Sequence, residues 1–295
     1  MDQAESLRSM VQIRNSGLIK QQNLASRVIT VTSGKGGVGK TNFTVSLAIY
    51  LQRQNKRVAI LDADFGLANI ELLFGVIPKY SLADVLLGGK MIEEVITEGP
   101  SGIKFISGGS GLKDLANISE RQMAYLIDNF EYLDSISDII LVDTGAGISK
   151  SVINFVKASN ETVIVTTPEP TSITDAYALI KTIREEESDI PEFKIVVNKV
   201  DNIKEGIEIY DKLQKVSAKF LDIKLDYLGS IPYDNNLVKA VKQQRPAAVS
   251  FPNSPFSKSL EAMSAKILDI DFSPYNSNTL NIISFVKRLT NIFGG

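Results

Sequence analysis

Ser33-Gly34-Lys35-Gly36-Gly37-Val38-Gly39-Lys40-Thr41 is the stretch whose reading decides the fold. It follows the apolar run Val28–Val31, which reads as a buried strand, and precedes Phe43–Leu51, whose apolar spacing suits a helix. Strand, glycine-rich loop and helix together are the context that a phosphate-binding loop requires. Gly34, four intervening residues and then Gly39-Lys40-Thr41 complete its pattern. Gly34, Gly36, Gly37 and Gly39 let backbone N–H groups turn inward, with that of Val38, towards phosphate oxygens. The start of the following helix, including Asn42, adds the positive end of its dipole. Lys40 is placed to reach the terminal phosphates, and the Thr41 hydroxyl to bind Mg²⁺. A glycine-rich turn without a ligand is the plainer reading, and both flanks argue against it.

Composition narrows the chemistry. The 295 residues suit one large α/β domain with additions, or two small domains, and a 44% hydrophobic content supports a sizeable core. A formal net charge of −2 provides no global basic field, so no nucleic acid is expected as a partner. With no cysteine there are no disulfides, thiol nucleophiles or cysteine-held iron–sulfur clusters. With no histidine there is no imidazole acid–base chemistry. The acidic, polar start Met1–Glu5 is unlike a signal peptide, and no run of about 18 apolar residues exists to span a bilayer. A cytoplasmic location is the expectation.

From Val28 onward, strands are expected at 28–32, 57–61, 103–107, 138–142, 161–166, 193–197 and 225–230. Helices are expected near 40–54, 81–87, 119–133, 149–158, 172–187, 204–220, 235–243 and 255–268. Solid apolar runs such as Ile139–Val142 mean that both sheet faces are covered. The predicted fold is α/β: a P-loop NTPase with a mostly parallel twisted sheet, helices on both faces and a C-terminal amphipathic helix. Ligands then gather at the carboxyl ends of the strands. The second strand ends in Asp62-Ala63-Asp64, two carboxylates on one side of an extended chain, aimed at a metal and the terminal phosphate. The strand at 138–142 ends in Asp143-Thr144-Gly145-Ala146-Gly147, where Asp143 meets the metal and Gly145 allows backbone approach to phosphate. Each is also a plausible plain turn. Thr41, Asp62 and Asp143 form the expected Mg²⁺ set.

After Asp271–Asn278, read as a linker, Ile282, Phe285, Val286, Leu289, Ile292 and Phe293 share one helical face. Thr279–Phe293 is too short to cross a bilayer but long enough to lie in its interface. A last helix packed on the core fits the same pattern. Residues 1–27 are polar. Leu7, Met10 and Val11 have helical spacing, although composition alone favours a disordered tail.

The KGGVGKT loop with its extra Lys35 resembles the deviant Walker A motif of the MinD/ParA/NifH ATPases. The later motifs, spread over residues 28–270, agree with that family. The resemblance implies ATP/ADP as ligand with Mg²⁺, and slow hydrolysis in an ATP-bound homodimer. Lys35 would cross to the partner's nucleotide and act with Lys40, and Asp64 would orient the attacking water. By the same resemblance Asn198 contacts the adenine, Pro232 and Asp234 close over the ring, and Thr166–Pro170 faces the dimer partner. Phe285–Leu289 and the final Phe-Gly-Gly resemble a tail that targets an anionic membrane surface, which would place the protein on the inner face of the cell membrane. Within the family, Asp143–Gly147 and the segment Asp2-Gln3-Ala4-Glu5-Ser6-Leu7-Arg8 resemble the FlhG branch, which regulates flagellar number and placement. That branch implies an FlhF-like GTPase contacted through Gln3, Leu7 and Arg8, and flagellar basal-body components as partners. The division expected is an activator segment at 1–27, an ATPase domain at 28–270, a linker at 271–278 and a membrane helix at 279–295. A MinD-type cell-division ATPase, a ParA-like DNA-segregating ATPase and an ATP-binding scaffold without turnover are the alternatives.

Overall fold

The computed structural model describes residues 26–64, 69–87, 89–109, 120–159, 161–187, 190–269 and 282–294. Within them, eight strands form one sheet: β1 (Arg27–Ser33), β2 (Val58–Ala63), β3 (Thr97–Glu98), β4 (Lys104–Ile106), β5 (Ile139–Ala146), β6 (Glu161–Thr166), β7 (Glu192–Val200) and β8 (Leu225–Pro232). Their spatial order is β3-β4-β2-β5-β1-β6-β7-β8. The neighbours pair in parallel except β3 with β4. The seven strands expected from sequence are all present. The two-residue β3 and the short helices Asn69–Phe74 and Ile92–Val95 are additions, too brief to show a periodic signal.

Period-two alternation divides the apolar strand residues between the two faces. Ile29, Val31, Ile139 and Leu141 join the layer containing helices Lys40–Arg53 and Pro255–Asp269. Val28, Ile140 and Val142 face the opposite layer, with helices Glu120–Ile136 and Lys150–Ala158. Helices Pro170–Glu186 and Ile203–Leu221 continue cover over β6 to β8. The strand order reverses at β1, so the loop after β1 opens into the crevice where such sheets collect ligands.

The last helix, Ile282–Gly294, belongs to this second layer. Ile282, Phe285, Val286 and Leu289 are buried in it, and the Phe285 ring lies 6.2 Å from that of Phe155. Ile292 packs at the edge, and the side chain of Phe293 is outside the described residues. The face read as membrane-binding therefore covers the core in this conformation. The reason is physical: helices Glu120–Ile136 and Lys150–Ala158 leave an apolar strip between them, and any amphipathic helix within reach buries area by filling it. The expected linker at 271–278 and the contact residues Gln3, Leu7 and Arg8 lie outside the described residues.

The amino ends of the strands are tied by charge. Glu161 at the start of β6 accepts from Arg27 Nε at 2.5 Å and Nη2 at 2.6 Å, and from Lys194 Nζ at 2.8 Å. Burial pushes the Glu161 carboxyl up, but Arg27 and Lys194 outweigh it and hold it below the usual carboxylate range. Arg27 also donates to the Ile267 carbonyl, anchoring helix Pro255–Asp269. Removing the shared carboxylate takes an anionic partner from two buried cations, of which Lys194 keeps Glu192 at 3.1 Å. Glu161→Ala should lose about 3–5 kcal/mol in urea unfolding. A loss below about 1 kcal/mol would show that the cations find other partners.

Candidate nucleotide-binding site

The loop from Gly34 to Gly39 is built for close approach. Gly37 and Gly39 have φ of +77° and +94°, conformations that a side chain resists. Gly39 in this left-handed state precedes helix Lys40–Arg53 and supplies no side-chain cap, so the first N–H groups of the helix remain open to an anion. At Gly34 the requirement differs from the phosphate role read from sequence. A β-carbon there would overlap the Asp175 carbonyl and crowd the Ala176 nitrogen of helix Pro170–Glu186. Gly34 thus seats the loop on that helix.

The charged centre lies behind the loop. Lys40 Nζ is 3.0 Å from Asp143 Oδ1, with both side chains buried. Thr44, one helical turn beyond Lys40, also donates to Asp143 Oδ1 at 2.8 Å. Sequence reasoning missed Thr44. Its signal is a hydroxyl at i+4 from the loop lysine, one turn along the same helix. Asp62 pairs in register with Asp143 across β2 and β5. Burial, then the Asp143 charge, raise the Asp62 carboxyl from its ordinary value to about 7. Its oxygens accept from the Asp64 N–H at 3.0 Å and the Ile70 N–H at 3.5 Å.

These residues fit Mg²⁺. Asp143 Oδ2 is buried with no hydrogen-bond partner, two carboxylates sit side by side, and Thr41 stands at the cleft wall. All are hard oxygen donors, the set this ion prefers. In front lies a cleft of about 760 Å³, whose lining includes Gly36 to Asn42, Asp64, Asn69 and Val241. Asp64 accepts from Asn69 Nδ2 at 3.3 Å, and a β-carbon at Gly145 would come within 3.6 Å of its Oδ1. That is ordinary van der Waals contact, so Asp64 does not itself require a glycine at 145.

Lys35 points away from Lys40. Its ammonium lies 2.7 Å from Glu169 Oε2 and 2.8 Å from Thr171 Oγ1. The Lys35 hydrogen bond holds the Glu169 carboxyl below its ordinary value. Both partners belong to or adjoin the Thr166–Pro170 loop that the sequence singled out. On the other flank Asn198 donates to the Val38 carbonyl at 2.7 Å, and Lys199 to the Gly37 carbonyl at 2.8 Å. Asn198, expected on the base, here braces the loop. Pro232 ends β8 opposite Val200. Asp234 accepts from the Asn236 and Phe256 N–H groups, so it caps one helix and ties another. Burial pushes its carboxyl up, but those bonds prevail and hold it low.

Comparison with known proteins follows this geometry. The ParA profile, described as an NUBPL iron-transfer P-loop NTPase, matches residues 25–268. The chain belongs to this family. As a ParA-family protein it is a MinD-like P-loop ATPase. It is 42% identical over 264 residues to the antiactivator FleN of Pseudomonas aeruginosa, covering 89% of this chain and 93% of FleN. The flagellum site-determining protein YlxH of Helicobacter pylori is 35% identical over 296 residues, covering 99% of each chain. In fold, the chain is similar to the septum site-determining protein MinD of Pyrococcus horikoshii complexed with Mg-ADP. That match has a TM-score of 0.66 and 23% identity, covering 82% of this chain and 96% of that one.

The raised Asp62 carboxyl gives a signed pH dependence. Its folded value of about 7 lies above the unfolded value of 3.8. Its contribution to stability is fully present below about pH 4 and disappears as the pH rises through 7. Without metal or nucleotide, the stability of the parent relative to Asp62→Asn should fall by on the order of 3–4 kcal/mol across this window. Thermal melts of both proteins at stepped pH measure it, and parallel curves would contradict the assignment.

Proposed function

We propose that this ATPase is a nucleotide-controlled switch that dimerises with ATP, binds the inner membrane surface as the dimer and regulates flagellar number or placement. The carrying observation is the contact between Phe155 and Phe285. Helix Lys150–Ala158, which holds Phe155, starts at Ser149, directly after the Asp143–Gly147 loop. A shift of that loop towards a terminal phosphate tilts the surface on which the last helix rests. Release of that helix exposes Ile282, Phe285, Val286 and Leu289 to lipid. One such helix holds a membrane weakly, and two linked in a dimer hold it jointly through effective concentration. The name of the YlxH relative, a flagellum site-determining protein, supports the cellular role.

Within the site, Lys40 leaves Asp143 for the phosphates, an exchange of one anion for another. Mg²⁺, when bound, neutralises charge on the phosphate oxygens and the leaving group. Thr41, Asp62 and Asp143 would hold it. Asp64 orients the attacking water. A carboxylate is in general a weak base towards water, so positioning is its role. Lys35 exchanges Glu169 and Thr171 for the nucleotide of the partner, which makes its ion pair the resting state of the dimer contact. The segment containing Gln3, Leu7 and Arg8 docks on an FlhF-like GTPase, and Gln3 is chemically able to orient a water there.

Vesicle co-sedimentation with ATP and with ADP tests the reading. The parent should pellet with anionic vesicles in ATP and remain in solution in ADP. Phe285→Glu should stay in solution in both, because a charge on the apolar face opposes insertion. A parent that never pellets would return the last helix to a purely structural role.

Dimerisation is measured separately, by sedimentation velocity. Lys35→Ala should bind ATP as a monomer, with affinity within about threefold of the parent, and form no dimer. Asp64→Ala should accumulate as the ATP dimer. A normal dimer from Lys35→Ala would confine this lysine to its contact with Glu169.

A further inference from the structure

The two oxygens of Asp143 are unequally served. Oδ1 accepts from Lys40 Nζ at 3.0 Å and from Thr44 Oγ1 at 2.8 Å. Oδ2 is buried and has no hydrogen-bond partner among the described residues. Lys40 and Thr44 stand one turn apart on helix Lys40–Arg53, and both are buried, as is Asp143. On the reading proposed above, Lys40 leaves Asp143 for the phosphates. Thr44 is then the donor that stays on Oδ1.

The Thr44 hydroxyl has one proton and two acceptors within reach, Asp143 Oδ1 and the Lys40 carbonyl at 3.1 Å. The carboxylate contact is the shorter of the two and is charge-assisted, so it holds the proton. Packing does not account for this hydroxyl. The neighbouring side chains of Phe43, Val45, Leu47 and Ala48 are buried and apolar, a setting in which valine has the same shape as threonine. A hydroxyl buried there costs free energy unless it is bonded. Mobility separates the two donors as well. The Lys40 ammonium ends a flexible stem and can swing between anions, whereas the Thr44 hydroxyl is on a stiff, branched side chain.

We propose that Thr44 is a positioning residue for the metal site: it keeps hold of Asp143 Oδ1 when Lys40 departs, which fixes the carboxylate and reserves Oδ2 for Mg²⁺. The proposal rests on the Mg²⁺ set of Thr41, Asp62 and Asp143, and Thr44 acts on the ion only through Asp143. The competing role is local. A threonine inside a helix commonly bonds back to the carbonyl four residues earlier, here that of Lys40, and its contact with Asp143 then has no bearing on the metal.

Calorimetric titration of the full chain with ADP, once in Mg²⁺ and once in EDTA, separates the two roles. By linkage, the ratio of the two ADP affinities reports how much more tightly the protein–ADP complex holds Mg²⁺ than free ADP does. A purely structural defect weakens both titrations alike and leaves the ratio unmoved. Thr44→Val should lower the ratio about tenfold, the scale of loss when the partner of a metal ligand is removed. Thr44→Ser keeps the hydroxyl and should hold the ratio within about threefold of the parent. A ratio unchanged or raised in Thr44→Val, or lowered as far in Thr44→Ser, overturns the proposal and leaves the metal site standing. A parent that binds ADP equally well with and without Mg²⁺ overturns the metal set itself, and the role of Thr44 with it.

Discussion

Two buried carboxylates on adjacent strands face each other at the carboxyl end of the sheet, with one ammonium to balance them. Asp62 and Asp143 are in register, and Lys40 reaches Asp143. Charges taken out of water are costly unless paired. One pair is neutral and one carboxylate is left over, which is why Asp62 gains protons far above its ordinary range. The site is an unfinished electrostatic arrangement. On the reading proposed above, a divalent cation with a phosphate would complete it: the cation would take the carboxylates, and Lys40 would be freed for the anion. Binding would then be coupled to a rearrangement of these side chains.

The proposed rearrangement has a route outward, because the loops around this centre share backbone contacts. The Gly147 N–H donates to the Ser33 carbonyl at 2.8 Å, joining the loop after β5 to the start of the phosphate loop. Gly34 abuts helix Pro170–Glu186 without a side chain between them. Ser149 caps helix Lys150–Ala158 through the Val152 N–H. Close-packed contacts of this kind shift between discrete arrangements rather than deform by degrees. Two helices thus lie within one contact of the nucleotide loops, and one of them carries Phe155.

The parallel sheet and its nucleotide loops were legible in the sequence because their signals are local. A run such as Ile139–Val142 is apolar throughout because both faces are covered, and the acid that follows it sits where such sheets place ligands. Glycine, lysine and threonine at fixed spacing carry their chemistry in their identities. Long-range pairings were not legible. Nothing in the spacing ties Thr44 to Asp143, Lys35 to Glu169 or Arg27 to Glu161, because each pair is far apart in the chain and meets only through strand order. Asn198 is instructive: its position at the site was readable, but its orientation depended on a left-handed turn at Lys199 that no propensity favours.

The last helix shows a deeper ambiguity. An apolar face at helical spacing states that the face must leave water, and does not state where it goes. Protein core and lipid interface are both acceptable destinations, and the pattern from Ile282 to Phe293 satisfies either. Fully burying a Phe, Leu, Ile or Val side chain contributes about 1.5–3 kcal/mol in an apolar environment. The transfer from one apolar environment to another forfeits little of that, so the balance is set by smaller terms such as packing quality, the Phe155–Phe285 ring contact and chain entropy. A docked helix held by a small difference between two large and similar burials can be displaced by a few kcal/mol of nucleotide binding. The same face packed by polar or charged contacts would need to be paid out in full before release. Amphipathicity without buried charge is thus the composition that a reversible latch requires, and Ile282, Phe285, Val286 and Leu289 carry none.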